Sequence, residues 1–232
     1  MLRCRPVYVL TLPSCFLWAC ATASTEPPGP PGTIEWVEWP VAVTRTQPGA
    51  VRVSGSPHCP QYAEFGISVS GTELQVTSYV DFSRGCMVRE DSIVPLPALE
   101  APPSGLPAVF TIWASLSRFS EAGSGSGGRL LGEIELREDP DTTTRFAGIA
   151  FVYRDSLNCW RVIPSRSTRP SWAFVQPPTL GLESSGHVAF IRGRLVPVSP
   201  PVCGDTVAVE ASTLEIDITP QPSDRPSFLQ SR

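Results

Sequence analysis

Lysine is missing from all 232 residues, and asparagine occurs once, at Asn158. Both scarcities point to a GC-rich coding sequence and exclude no chemistry. Charge is also scarce: 17% of residues are charged, against about 25% in an average globular chain. With 41% apolar residues, the chain can bury a core, and disorder driven by charge excess is excluded. Eighteen arginines against 22 acids give a net charge of -4 and a pI near 5.3. The molecule as a whole therefore lacks the dense positive surface that binding to nucleic acid requires. No apolar stretch reaches the roughly 20 residues of a membrane-spanning helix. No Cys-x-x-Cys occurs, and the two histidines, His58 and His187, stand far apart, which argues against a zinc site. There is no Gly-x-Ser-x-Gly elbow, and the glycine-rich run Gly123–Gly128 lacks the Lys-Ser/Thr ending of a phosphate loop. No metal and no cofactor are expected.

What is present begins with a leader. Arg3 and Arg5 precede a mostly apolar stretch from Val7 to Ala19, broken by Thr11, Pro13 and Ser14, which reads as a signal peptide over residues 1–23. The stretch ends in Leu17-Trp18-Ala19-Cys20, which resembles the lipobox of bacterial lipoproteins, with Trp18 standing where that family has a small residue. The resemblance implies lipidation of Cys20; cleavage after Ala21-Thr22-Ala23 is the alternative. Leu12-Pro13-Ser14-Cys15 is a weaker second copy, because few apolar residues precede it. Residues 24–32, with Pro27, Pro28, Pro30 and Pro31, form an extended spacer that holds a domain off a membrane. The expected location is the bacterial cell envelope, after export, with a membrane as partner through the N-terminal lipid.

The mature chain alternates apolar and polar residues in short runs punctuated by Gly and Pro, without helical periodicity. The fold class is therefore all-β. Seven runs, Ile34–Trp39, Ala50–Val53, Phe65–Val69, Glu73–Val80, Met87–Val94, Ala108–Leu116 and Leu130–Leu136, predict a β-sandwich over residues 33–138. Val94-Pro95-Leu96-Pro97-Ala98-Leu99 before a closing hairpin resembles small immunoglobulin-like domains of bacterial envelope proteins. A polar stretch, residues 139–144, is expected as a linker. Five further runs follow, Phe146–Tyr153, Trp160–Ile163, Trp172–Val175, His187–Val196 and Thr206–Ile218, enough for a small five-stranded barrel over residues 145–219. Cys159-Trp160-Arg161-Val162, Gly186 to Arg194 and Cys203 to Val209 are similar to secreted OB-like domains of bacterial lipoproteins, with Gly193 permitting the sharp coil of a closing strand. The tail, residues 220–232, carries three prolines and is expected to be disordered.

Removing the leader leaves Cys59, Cys86, Cys159 and Cys203, an even number suited to an oxidising compartment. Of the three possible pairings, Cys59–Cys86 and Cys159–Cys203 keep each disulfide within one expected domain. Trp36 and Trp39 stand three apart on one run, so they point to opposite faces and at most one joins the sandwich core.

Charge is divided unevenly. Residues 33–138 hold 7 Arg against 12 acids, whereas residues 145–219 hold 7 Arg against 6. Arg161, Arg192 and Arg194, with Trp160 and Trp172, form the possible ligand face. OB-like barrels bind oligosaccharides and oligonucleotides on such faces, although an exported protein seldom meets nucleic acid. The competing assignment is that the tryptophans fill the barrel and the arginines are solvated. Ser199, His187 and Asp205 can be written as a triad and Glu35/Glu38 or Glu133/Glu135 as acid–base pairs, but the flanking prolines and strand alternation favour structural roles. Catalytic residues are therefore not assigned. The expected function is non-catalytic binding or scaffolding with a protein or glycan partner; an anionic glycan or nucleic acid on the arginine face is the alternative, and hydrolysis is the least favoured.

Overall fold

The computed structural model describes residues 33–56, 62–81, 91–103, 105–116, 128–165, 167–178 and 186–216. Among these the chain is all-β, with no helix. Its strands are β1 (Thr33–Val43), β2 (Ala50–Ser56), β3 (Tyr62–Ser70), β4 (Glu73–Asp81), β5 (Asp91–Pro95) and β6 (Ala108–Ala114). They continue with β7 (Arg129–Leu136), β8 (Asp141–Arg154), β9 (Trp160–Pro164), β10 (Trp172–Ala173), β11 (His187–Val202) and β12 (Asp205–Ile216). All belong to one open, branched sheet.

β1 is the branch point. Its first half pairs antiparallel with β2, its middle pairs antiparallel with β8 from Trp36–Gly148 to Ala42–Asp141, and its end runs parallel to β7 at Ala42 and Val43. Bulges after Ile34 and at Pro40 mark the changes of partner, as expected where proline removes a ladder donor. β7 continues antiparallel to β6, β6 parallel to β4, and β4 antiparallel to β3, while β5 lies on the far side of β2. The inward residues of these strands, among them Val53, Leu74, Phe110, Ile112, Leu131 and Ile134, form the larger apolar cluster.

β8 is shared in the same way. One edge pairs with β11 from Arg145 to Val152; the other changes from β1 to β9 after Gly148. A Cβ on Gly148 would collide with the Glu35 carbonyl and the Trp36 Cα, so the missing side chain is what lets β8 lie this close to β1. β9 pairs with β10 and β11 with β12. Just past β10, Phe174 bridges in parallel to Val209, and the Val175 N–H donates to the Val209 carbonyl at 2.9 Å.

The two halves exchange side chains. Trp39 packs in the larger cluster, whereas Trp36 points the other way and joins Phe146, Val152, Val162, Trp172 and Ile191 in the second. The Trp36 ring lies 4.8 Å from Phe146 and 6.5 Å from Trp172, centroid to centroid. In return, Ala147 of β8 and Phe190 of β11 enter the larger cluster.

Residues 139–144, expected as a linker, do not interrupt the sheet. Asp141 opens β8, and residues 141–144 already pair with β1. The reason is local: Thr142, Thr143 and Thr144 are β-branched and favour strand, and the Asp141 carboxylate accepts the Thr143 N–H at 2.9 Å. The signal peptide, Cys20, the spacer, Cys59, Cys86, the tail and most of the Gly/Ser run lie outside the described residues.

Because the cores interlock through β1, unfolding is expected to follow one transition with coincident midpoints by far-ultraviolet circular dichroism and tryptophan fluorescence. Trp36→Ala should lower urea-derived stability by about 3–5 kcal/mol and keep the transition single. Two separated transitions in the wild-type protein would refute the coupling.

Candidate functional site

β9 and the loops that flank it, between β8 and β9 and between β11 and β12, place Arg161 at the centre of a polar network. In the loop between β8 and β9, Asp155 accepts the N–H groups of Leu157 and Cys159, each at 2.9 Å. Asn158 closes this loop at φ 66°, a conformation asparagine tolerates better than most residues. Cys159 is joined to Cys203, which begins the turn between β11 and β12, with the two Cα atoms 6.1 Å apart. Arg161 Nε donates to Asp155 Oδ2 at 3.0 Å, Nη1 to Asp205 Oδ2 at 2.7 Å, and Nη2 to the Cys203 carbonyl at 2.9 Å. Asp205 Oδ2 also accepts the Ala173 N–H at 2.7 Å. One guanidinium thus ties together both loops and, through Asp205, the end of β10.

Burial opposes ionisation of Asp155, but hydrogen bonds from the Cys159 amide, Arg161 and the Leu157 amide, with the Arg161 charge, outweigh it and hold its pKa below the usual carboxylate value. Burial likewise opposes the charged form of Arg161, and Asp155 and Asp205 reverse that effect and raise its pKa.

The other residues of the expected ligand face are engaged elsewhere. Arg194 pairs with Glu210 across β11 and β12 at 2.7 Å. The Arg192 guanidinium donates to the Leu130 carbonyl and lies 6.0 Å from the Phe190 ring centre. Trp172 is buried in the second cluster, and Trp160 is half-buried against it, with the Arg154 guanidinium 5.8 Å from its ring. Trp172 thus lies in the second core and Trp160 against it, and each of the three arginines meets an acceptor of its own chain. Ser199 and His187 are separated by 12 positions on β11, roughly 40 Å along an extended strand, so they form no triad.

Two features were missed from the sequence. The first is a clasp of three carboxylates from β1 and β5 on the segment after β9. Glu35 accepts the Ser165 hydroxyl. Glu38, 3% exposed, accepts Trp36 Nε1 at 3.0 Å and Arg169 Nη2 at 2.7 Å, with Arg52 Nε at 3.9 Å. Asp91 accepts the Thr168 amide at 2.8 Å and the hydroxyls of Thr168 and Ser54. Burial works against the charge of Asp91, yet these hydrogen bonds and Arg52 keep its pKa lowered. The sequence signal was Glu38 in the otherwise apolar run Trp36-Val37-Glu38-Trp39. The second feature is a groove of about 460 Å³ between residues 174–178 and 210–214. No sequence motif marks it.

No family model, no curated protein and no solved structure matches the chain.

Replacing both Cys159 and Cys203 by serine should cost about 4 kcal/mol in the chain-entropy model for a 44-residue separation, measured by urea unfolding. Asp91 and Asp155 have folded pKa values below the reference value of 3.8. Their stabilisation is therefore complete well above that value and is lost as pH falls through the lower folded values. Stability should drop on acidification below about pH 4, and Asp91→Asn should make the drop shallower; equal acid sensitivity in the variant would refute the assignment.

Proposed function

We propose that the chain is an exported, lipid-anchored protein of the bacterial cell envelope, a non-catalytic module that binds or scaffolds. The finer architecture we infer is an immunoglobulin-like sandwich followed by an OB-like barrel. In support of the first, β1 pairs antiparallel with β2 over its first half and parallel with β7 at its end, around one apolar cluster, although the parallel pairing of β4 with β6 departs from the all-antiparallel sheets of that fold. In support of the second, β8, β9, β10, β12 and β11 form a five-stranded ring closed only through the Phe174–Val209 bridge, as in a partly open Greek-key barrel.

The observation that carries the functional reading is the fusion of both halves into one sheet: a shared ladder between β1 and β8, exchanged core residues and a disulfide at the far end. A cross-linked β body suits presentation or docking outside the cytosol, an inference from architecture rather than from a reacting site.

Mass spectrometry of protein isolated from the producing cell's envelope, before and after reduction, tests this directly. A lipid on Cys20, loss of the preceding residues and an intact Cys159–Cys203 bond are expected, and Cys20→Ser should release the protein from the membrane fraction. Full-length protein in the cytosol with free thiols would overturn the proposal.

A further inference from the structure

Cys159 and Cys203 are brought together by contacts that involve neither sulfur. At Cys159, the Asp155 carboxylate accepts the backbone N–H and the Asp155 N–H donates to the carbonyl, both at 2.9 Å. Two residues later Arg161 is fixed in β9, opposite Tyr153 of β8 on one side and Ala173 of β10 on the other. At Cys203, the turn from β11 to β12 is closed by the Val202–Asp205 pair, with φ 51° at Cys203 and 85° at Gly204, the left-handed pair that a two-residue hairpin loop requires. The Arg161 guanidinium spans the gap between the loops: Nη2 donates to the Cys203 carbonyl, and Nη1 to Asp205, which also accepts the Ala173 N–H. The Arg161 side chain is 14% exposed, so water competes weakly for these hydrogen bonds.

From this arrangement we infer that Arg161 is a positioning residue for the cross-link: it gathers both loops in the folded dithiol chain, and the Cys159–Cys203 bond closes on a geometry already made. The two cysteines are 44 positions apart in the chain, so local turns cannot bring them together, whereas Arg161 touches both loops. Holding two reacting groups side by side raises their effective concentration. The coupling is reciprocal, so whatever the network adds to disulfide formation, the disulfide adds to the network. The fork of the guanidinium matters, because Asp155, Asp205 and the Cys203 carbonyl are met by three different nitrogens, a set that a lysine ammonium does not match. In the closing step an external disulfide takes the electrons: oxidised glutathione is cleaved to two thiols as the two cysteine thiols give up their hydrogens and join. The inference goes beyond the binding role proposed above and does not depend on it.

The test equilibrates the full mature chain, folded, in mixtures of reduced and oxidised glutathione, and reads Cys159 and Cys203 by differential alkylation and peptide mass spectrometry. Arg161→Met should lower their effective concentration about tenfold or more, and Arg161→Lys should recover only part of that loss. Ile112→Val, which loosens the larger cluster far along the chain from both loops, should stay within about twofold, because a change in overall stability cancels while both redox forms are folded. A second measurement keeps Arg161 and removes the sulfurs: in Cys159→Ser/Cys203→Ser, the amides of residues 157, 159 and 173 should remain protected from hydrogen exchange. An unchanged effective concentration in Arg161→Met, full recovery in Arg161→Lys, or an equal loss in Ile112→Val overturns the inference. So does loss of amide protection in the serine variant, which makes the disulfide the holder of the loops and Arg161 its follower.

Discussion

A strand has two faces, and β1 gives each to a different core. Because side chains alternate with a period of two, Trp36 and Trp39 cannot share a face. Each is essentially excluded from solvent on its own side of the sheet. Every later feature depends on that division. Trp36 can reach Phe146 and Trp172 only if β8 lies directly beside β1, and β8 can lie there only because Gly148 offers no side chain to the Trp36 backbone. Once that ladder forms, Phe190 is carried into the opposite cluster, where the Arg129 guanidinium covers its ring at 3.7 Å. The interface between the halves is therefore core, with apolar burial of about 25 cal/mol per Å² working on both sides of one sheet.

Polar groups near that seam select one arrangement. Glu38 is nearly inaccessible yet has Arg169, Arg52 and the Trp36 indole around it. Desolvation takes back much of what such pairs gain, so a buried ion pair adds little net stability; removing one partner is nevertheless costly. Together with Glu35 and Asp91, Glu38 fixes where the segment after β9 lies against β1, β2 and β5. The Arg161 network does the same at the other end of β9. β9 is thus held at both termini by carboxylates, and its register with β8 and β10 follows from those anchors as well as from its ladder.

Local structure was legible in the sequence to a greater degree than pairing. Alternation and Gly/Pro punctuation located the strands, since both signals are local. The opposite facing of Trp36 and Trp39 was equally readable. What alternation cannot state is which strand lies beside which. Residues 139–144 looked like a linker because they are polar, yet three threonines in a row are also good edge-to-centre strand residues once β1 is available. A charge count along the chain has a related blind spot, because it ignores acids brought in by folding. Part of that was recoverable. Asp155 precedes Cys159 by four residues and Asp205 follows Cys203 by two, so pairing the two cysteines already places both carboxylates near Arg161. Glu38 and Asp91 offered no such link, because their partners are 131 and 77 positions away.

The groove along β12 follows from the way the segment after β10 meets β12 at the Phe174–Val209 bridge. Gly193 sits where β11 meets the bulge, and a Cβ there would strike the Glu210 carbonyl. The missing side chain brings β12 in close, and the extra residue, Ser212, whose hydroxyl donates to the Arg192 carbonyl, adds local bend and twist. β10 ends at Ala173 and is followed almost at once by Pro177 and Pro178, which have no N–H to continue a ladder. The two walls therefore meet at Val209 and then separate: one turns at its bulge, and the other cannot pair. Closing the gap would require removing the bulge or replacing the prolines with residues able to donate, and either change would extend β10 along β12 beyond Val209. The same residues that bring Phe174 to Val209 thus leave the edge of β12 beyond Val209 without a strand partner among the described residues.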